Sequence, residues 1–247
     1  MNLPPPLTAP EQLAAALRDP GHAVLDPAGL CRTIGAPVAA LQALQPCWDA
    51  LPPDNHLRDG GRYRRRRHSC FVVDGDEVRL VPHRAHWQPI EYNALHGGLE
   101  RWFEPIDPAL GDAPAWSKLL RGLAAACTAA KGARRWFVEA HQFRIDTSDG
   151  IGRPTPEGAH RDGVDFVAVI LVARVGIKGG ETRVFEADGP RGIRFTLTEP
   201  WTTLMLDDER VLHETTPIQP IGDAGHRDTL VLTFRSGGFQ GPPAQGG

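Results

Sequence analysis

From Trp136 to Arg235 the sequence is a string of short β-prone runs: "WFVEAHQFRI", "DFVAVILVARV", "GETRVFEA", "GIRFTLTEP", "TTLMLDDERVLH" and "DTLVLTFR". Gly, Pro and Asp separate the runs, and no helix-length segment lies between them. Runs of that kind pair as antiparallel neighbours in a sandwich or barrel, not as βαβ units. Upstream, "PAWSKLLRGLAAACTAAKG" has Pro114 near its start and Gly132 at its end. Between them Leu119, Leu120, Leu123, Cys127 and Ala130 recur at helical spacing. Thr8 followed by Glu11 forms a capping-box signature, which predicts a short helix from about residue 9 to 18. Residues 20–55, rich in Pro, Ala and Gly, read as short helices and turns. The expected fold is mainly β with flanking helices (α+β). A helical and irregular part, residues 1–135, should pack on a β-core, 136–236, as one domain. Residues 237–247, within "GGFQGPPAQGG", are expected to form a flexible tail.

A chain of 247 residues, 41% of them hydrophobic, can close one sizeable core. Its 27 basic and 30 acidic residues leave a net charge of −3, which argues against nucleic-acid binding driven by overall charge. A local basic patch stays open. The four cysteines (Cys31, Cys47, Cys70, Cys127) are scattered, and none forms a CxxC pair. "MNLPPPLTAPEQ" lacks the charged and apolar regions of a secretory signal, and no apolar run approaches the roughly 20 residues of a membrane span. Free thiols in a reducing cytoplasm, away from membranes, are the expectation.

The stretch "PEGAHRDGVDF" sets a histidine, two aspartates, a glutamate and an arginine directly ahead of the apolar run "VAVILVA". His160 and Asp162 stand two apart, so an extended backbone projects both to one side. His213, in "LDDERVLHETTPI", ends a later strand that could lie alongside. Two imidazoles and one carboxylate occupy one face of an octahedral metal and leave three positions open, as in non-haem Fe(II) oxygenases. Polar residues on a surface loop remain the alternative, since an HxD pair alone is weak. Arg227 opens the strand "RDTLVLTF" downstream, with Thr229 on the same face. A buried guanidinium presents a planar fork to a carboxylate, and a hydroxyl can add a donor. That pair suits the distal carboxylate of 2-oxoglutarate. An ion pair of Arg227 with Asp223 or Asp228 is the competing reading.

The segments "PTPEGAHRDGVDFVAVILV", "GGETRVF", "LDDERVLHETTPI" and "HRDTLVLTFR" resemble the bacterial 2-oxoglutarate/Fe(II) dioxygenases that include free L-amino-acid hydroxylases of the isoleucine 4-hydroxylase type. "RYRRRRHSCF", "WQPIEYNALHGGLERWFEPI" and "VEAHQFRI" extend the resemblance over roughly residues 60–236. It implies a double-stranded β-helix (jelly-roll, cupin-like) core with N-terminal helices packed on it. It implies His160, Asp162 and His213 as the catalytic iron ligands and Arg227 as the 2-oxoglutarate anchor, with Fe(II), 2-oxoglutarate and O2 as the cofactor set. A small free L-amino acid is the implied substrate, hydroxylated as 2-oxoglutarate is decarboxylated to succinate.

Six arginines and one acid, Asp59, fall between Arg58 and Arg67. As a strand, "RYRRRRHS" sends Arg62, Arg64, Arg66 and His68 one way and Tyr63, Arg65 and Arg67 the other. One face could clamp a substrate carboxylate, with Arg64 and Arg66 as candidates. Asp165 and Glu157 are candidate acceptors for an ammonium group, although Glu157 could cap a turn and Asp165 could pair with Arg161. Tyr92, Asn93 and Arg101 surround a Gly97-Gly98 turn that allows close backbone approach to a ligand. His141, on "VEAHQFRI", could line the cavity with Gln142 and Arg144; a satisfied core histidine is the plainer reading. Three alternatives stay open: hydroxylation of a nucleobase or of a protein residue through the arginine patch, and a non-catalytic jelly-roll binding a metal or anion. A homo-oligomer is equally compatible with the sequence.

Overall fold

The computed structural model describes residues 3–92 and 97–242. The N-terminal part builds β1 (His22–Leu25), then β2 (Arg64–Asp74) and β3 (Glu77–Leu80). It also carries the helices α1 (Leu13–Arg18), α2 (Pro27–Ile34), α3 (Val38–Gln42), α4 (Pro108–Gly111) and α5 (Pro114–Lys131). The remaining strands are β4 (Arg135–Asp146), β5 (Phe166–Val175), β6 (Ile177–Gly179), β7 (Thr182–Glu186) and β8 (Gly192–Phe195). They continue with β9 (Thr203–Asp207), β10 (Val211–Thr215), β11 (Ile218–Pro220) and β12 (His226–Arg235). A seven-stranded antiparallel sheet runs β1-β9-β5-β12-β4-β2-β3; smaller sheets, β10-β7-β8 and β11-β6, complete the jelly-roll.

The long central strands are buried on both faces, and their period-two alternation divides the molecule. Trp136, Val138 and Ala140 of β4, with Leu230, Leu232 and Phe234 of β12, join Leu119, Leu120, Leu123 and Cys127 of α5 in the main core. Residues of opposite parity face the other way, toward the small sheets. α5 begins at Pro114 and ends on Gly132, whose φ of 86° is left-handed, as the sequence predicts. At Gly122 of α5 a Cβ would lie 2.7 Å from the Ile34 Cα, so glycine lets α2 and α5 cross in contact.

Several expectations change. The N-terminal part is not only helical: β1, β2 and β3 extend the large sheet, because the edges of β4 and β9 need backbone partners. The first helix begins with a 3-10 turn, Pro10–Gln12, and Thr8 does not cap it. Thr8 instead pairs with β1, its N–H donating to Val24 O at 2.7 Å and its Oγ1 accepting from Val24 N at 3.2 Å. The tail is docked over the residues seen: Phe239 packs edge-on against Phe137, and Gln240 is buried. Residues 243–247 lie outside the described residues.

Candidate active site

Between the large sheet and the small ones lies a cavity whose walls follow the strand alternation. Arg64 and Arg66 come from β2; His141, Phe143 and Ile145 from β4; Arg227, Thr229, Val231 and Thr233 from β12; His213 and Thr215 from β10. Loop residues Glu157, His160 and Asp162 close one end, with His86, Gln88 and Arg101 from the segment ahead of α4.

His160 and His213 face each other across an isolated antiparallel bridge, exchanging N–H···O bonds of 3.1 and 3.0 Å. Their Nε2 atoms lie 3.8 and 4.0 Å from the two oxygens of Asp162, and one donor atom from each residue falls within 4.8 Å of the others. His160 Nδ1 sits 2.9 Å from Gly158 O; the carbonyl can only accept, so the proton is on Nδ1 and the Nε2 lone pair is free for a metal. Asp208, almost fully buried, accepts from the backbone N–H groups of Asp162, Gly163 and Val164 at 3.0, 2.7 and 3.0 Å. That clamp fixes the turn carrying the carboxylate. Burial, then the nearby Asp162 charge, pushes the Asp208 carboxyl up to about 7. Burial works against a charged His160, but Asp162 and Glu157 outweigh it and raise its pKa; burial and His160 hold His213 well below the ordinary range. The donor set, two imidazoles and one carboxylate, fits a divalent iron ion with positions left open.

Arg227 is 3% exposed and Asp228 does not claim it: Asp228 points to the other face and takes two 2.7 Å bonds from Arg144. Arg227 Nη2 is buried without a partner among the described residues, and Thr229 stands beside it on the same wall. Burial, then Arg174, brings Arg227 down to about 10, so it stays charged at neutral pH. A buried cation with an unused N–H suits a dicarboxylate whose other end reaches the metal.

The arginine run forms β2 with the predicted alternation. Arg64 and Arg66 are buried in the cavity wall, while Arg65 and Arg67 lie on the outer side. Arg64 pairs with Asp54 at 2.7 Å. Arg66 stacks over Phe103, its guanidinium carbon 4.0 Å from the ring centroid, and Arg101 joins it at the cavity. Arg64 Nη2, Arg66 Nε, Arg101 Nε and Glu157 Oε2 are all buried without partners among the described residues.

Two substrate candidates lie elsewhere. Asp165 belongs to the helix–strand junction, where its carboxylate pairs with Lys131 and accepts from Ser236 N at 2.7 Å. Asp165, three residues past Asp162, stands directly before β5, where the chain has turned away from the cavity. Tyr92 packs its ring on Gly163, outside the cavity, where a Cβ would meet the ring at 2.4 Å; with φ at 75°, Gly163 is the residue that permits this contact. Gln142 and Arg144 alternate away from His141, to Cys47 O and Asp228. Asn93 lies outside the described residues.

Sequence reasoning missed a second group of ligand-type residues, His68, His86, Glu139 and His141, all buried. Glu139 Oε2 lies 3.0 Å from His68 Nε2, 2.6 Å from His86 Nδ1 and 3.9 Å from His141 Nε2. Arg66 Nη2, which can only donate, contacts His141 Nδ1 at 2.9 Å, so the His141 proton belongs on Nε2. Two imidazole N–H groups, of His68 and His86, therefore donate to one carboxylate, and the His141 N–H stands near it without a hydrogen bond. His86 and His141 belong to the cavity wall, His68 and Glu139 lie behind it, and the adjoining Arg66 is a fixed positive charge that disfavours a second dication.

Comparisons with known proteins agree with this site. The family model for 2OG-Fe dioxygenases matches residues 45–233. The chain belongs to that dioxygenase family, an Fe(II)- and 2-oxoglutarate-dependent oxygenase using O2. Among solved structures, a bsmA homolog from Methylobium petroleophilum PM1 is 53% identical, with 96% of each chain covered and a TM-score of 0.91. IDO from Bacillus thuringiensis is 18% identical at a TM-score of 0.75, covering 93% of this chain and 96% of that one. The Fe(II)/α-ketoglutarate-dependent dioxygenase TqaL is 19% identical at 0.70, covering 92% and 86%. The last two share the fold alone. No curated protein matches the chain.

Proposed function

We propose that this dioxygenase hydroxylates a small free L-amino acid with an uncharged side chain, aliphatic or similar, through iron held by His160, Asp162 and His213. The observation that carries the reading is the charge pattern of the cavity. Four buried cations, Arg64, Arg66, Arg101 and Arg227, stand in the wall with the carboxylates Glu157 and Asp162, and Asp54, Glu139 and Asp208 lie behind it. An incoming molecule meets unpaired groups of both kinds: the N–H donors of Arg66 and Arg101, and the acceptor Glu157 Oε2. Burying an unpaired charge is costly, and a zwitterion satisfies both ends at once.

Bound Fe(II) with 2-oxoglutarate supplies the oxidising chemistry, consuming O2 and releasing succinate and CO2. The residues of this chain bind, orient and exclude water. Arg227 and Thr229 hold the distal carboxylate of 2-oxoglutarate, while Arg66 and Arg101 take the substrate carboxylate and Glu157 its ammonium. Phe143, Ile145, Val169 and Val231 line the space between these charges, which keeps water away from the reacting carbon. Arg64 and Arg66 face inward, a placement that supports small-molecule recognition over phosphate tracking along a nucleic acid. The four unpaired cysteines suit a reducing cytoplasm, and no helix among the described residues is long and apolar enough to cross a membrane.

The test is a screen of free L-amino acids with Fe(II), 2-oxoglutarate and ascorbate, read by succinate release and a mass gain of one oxygen atom. Turnover of neutral amino acids supports the reading. Activity confined to oligonucleotides, with affinity falling steeply as salt rises, overturns it.

A further inference from the structure

Residues 85–92 and 97–101 flank the Asp162 end of the cavity, which His86, Gln88 and Arg101 help to line. His86 and Arg101 exchange backbone hydrogen bonds of 2.9 Å each, and Gly98 N donates to Gln88 O at 2.8 Å. Gln88 is buried, and its carboxamide is used at both ends. Arg101 Nη2 donates to Gln88 Oε1 at 2.9 Å, and Gln88 Nε2 donates to Asp162 Oδ1 at 3.1 Å. The orientation of the amide follows from chemistry. A guanidinium only donates and an ionised carboxylate only accepts, so the oxygen must face Arg101 and the nitrogen must face Asp162.

This contact bears on how Asp162 can meet a metal. A carboxylate can bind through one oxygen or through both. Two-oxygen binding fills one of the positions that 2-oxoglutarate and O2 need. A hydrogen-bond donor on one oxygen competes with that mode and leaves the other oxygen to the metal. Arg101 also polarises the amide toward Asp162, since linked hydrogen bonds reinforce each other in a buried setting.

We propose that Gln88, oriented by Arg101, is a positioning residue that reserves Asp162 Oδ1 for hydrogen bonding, so that the aspartate binds iron through Oδ2 alone and the site stays open to 2-oxoglutarate. The proposal rests on the reading of His160, Asp162 and His213 as the iron ligands, but not on the identity of the amino-acid substrate. Outer partners of metal ligands typically contribute about 10- to 100-fold in metal affinity.

Two variants separate this role from simple packing. Gln88→Met keeps the length of the side chain and removes both hydrogen bonds. Gln88→Glu keeps the acceptor for Arg101 but offers Asp162 no donor. Each metal-free variant is checked by circular dichroism, then titrated with Fe(II), and the loaded protein with 2-oxoglutarate under anaerobic conditions. The readout is the visible charge-transfer absorption of the iron–2-oxoglutarate complex. Both variants are expected to need at least tenfold more 2-oxoglutarate for half-maximal absorption, or to give a shifted band, with Arg227 untouched. Wild-type iron affinity together with a wild-type titration and band in either folded variant overturns the proposal. Failure of the wild-type protein to form the band at all contradicts the iron-site reading itself, so the two failures are distinguishable.

Discussion

At Arg227 a guanidinium is held in the β-core with an N–H that meets nothing among the described residues. Left so, it is a cost to the fold; filled by a carboxylate, it becomes a charge-assisted anchor. Replacing Arg227 with Met should weaken 2-oxoglutarate binding by about 2–5 kcal/mol, the range for truncating one partner of a buried charge pair. It should leave Fe(II) binding near wild type, because the proposed metal ligands His160, Asp162 and His213 come from other elements. Equilibrium titrations of both ligands check this, and unchanged 2-oxoglutarate affinity would count against the anchor. The same scale shows what the sequence made legible. His160, Asp162, His213 and Arg227 could be picked out because their side-chain types are rare in interiors and their spacing fits strands. Asp165 misled because closeness in sequence to the iron loop says nothing of direction once a strand begins. Gln88 and Gln240 left no signal, since a glutamine looks alike on a surface and against a metal ligand.

Among elements, the loop between Glu157 and Val164 is pinned from three sides. Asp208, at the end of β9, takes its backbone N–H groups; Gln88 takes the Asp162 side chain; Gln240 Nε2 donates to Asp162 O and Gly163 O at 3.2 and 2.7 Å. The C-terminal residues therefore support the loop that carries Asp162, the proposed iron ligand. Ending the chain after Ser236 removes both Gln240 bonds and the Phe137–Phe239 contact. With each net hydrogen bond contributing about 1 kcal/mol, the melting temperature should fall by several degrees. Iron affinity should fall with it, and an unchanged affinity would show that the tail only covers the surface. Sequence reading expected a free tail because Gly and Pro dominate it. It missed β1, β6 and β11 for a related reason: strands of three or four residues carry no periodicity, and tertiary pairing alone creates them.

Over the whole molecule, the cage of His68, His86 and His141 around Glu139 ties stability to pH. Burial brings His86 down to about 3 despite Glu139, and it lowers His68 and His141 as well, with Arg66 and Arg101 adding to the effect at His86 and His141. Unfolded, each imidazole returns to about 6.5. Between those values the unfolded chain binds protons that the folded one refuses. The contribution is therefore full above about pH 6.5 and is lost as pH falls, for His86 by about 1.4 kcal/mol per pH unit, with His68 and His141 adding losses of the same sign. Burial also opposes an ionised Glu139, but the imidazoles outweigh it and hold its carboxyl below the ordinary range, which adds a loss of the same sign at lower pH. Melting of the metal-free protein should shift steadily downward from pH 7 to pH 5, and His86→Gln should flatten that slope. An unchanged slope in the variant would place the acid sensitivity elsewhere. This network was invisible in sequence, because its members are far apart along the chain: the β2–β4 register aligns His68 with His141 and places Glu139, and His86 arrives from outside the sheet, bridged to Arg101. An antiparallel sandwich or barrel was legible in the series of short apolar runs, and the jelly-roll was implied by the family resemblance.

The most direct measurement is a crystal structure of the protein grown anaerobically with Fe(II) and 2-oxoglutarate. One metal ion should lie against the Nε2 atoms of His160 and His213 and one oxygen of Asp162, with the distal carboxylate of 2-oxoglutarate on Arg227. A metal held instead by His68, His86, Glu139 and His141, or a fourth protein donor closing the first site, would contradict the account.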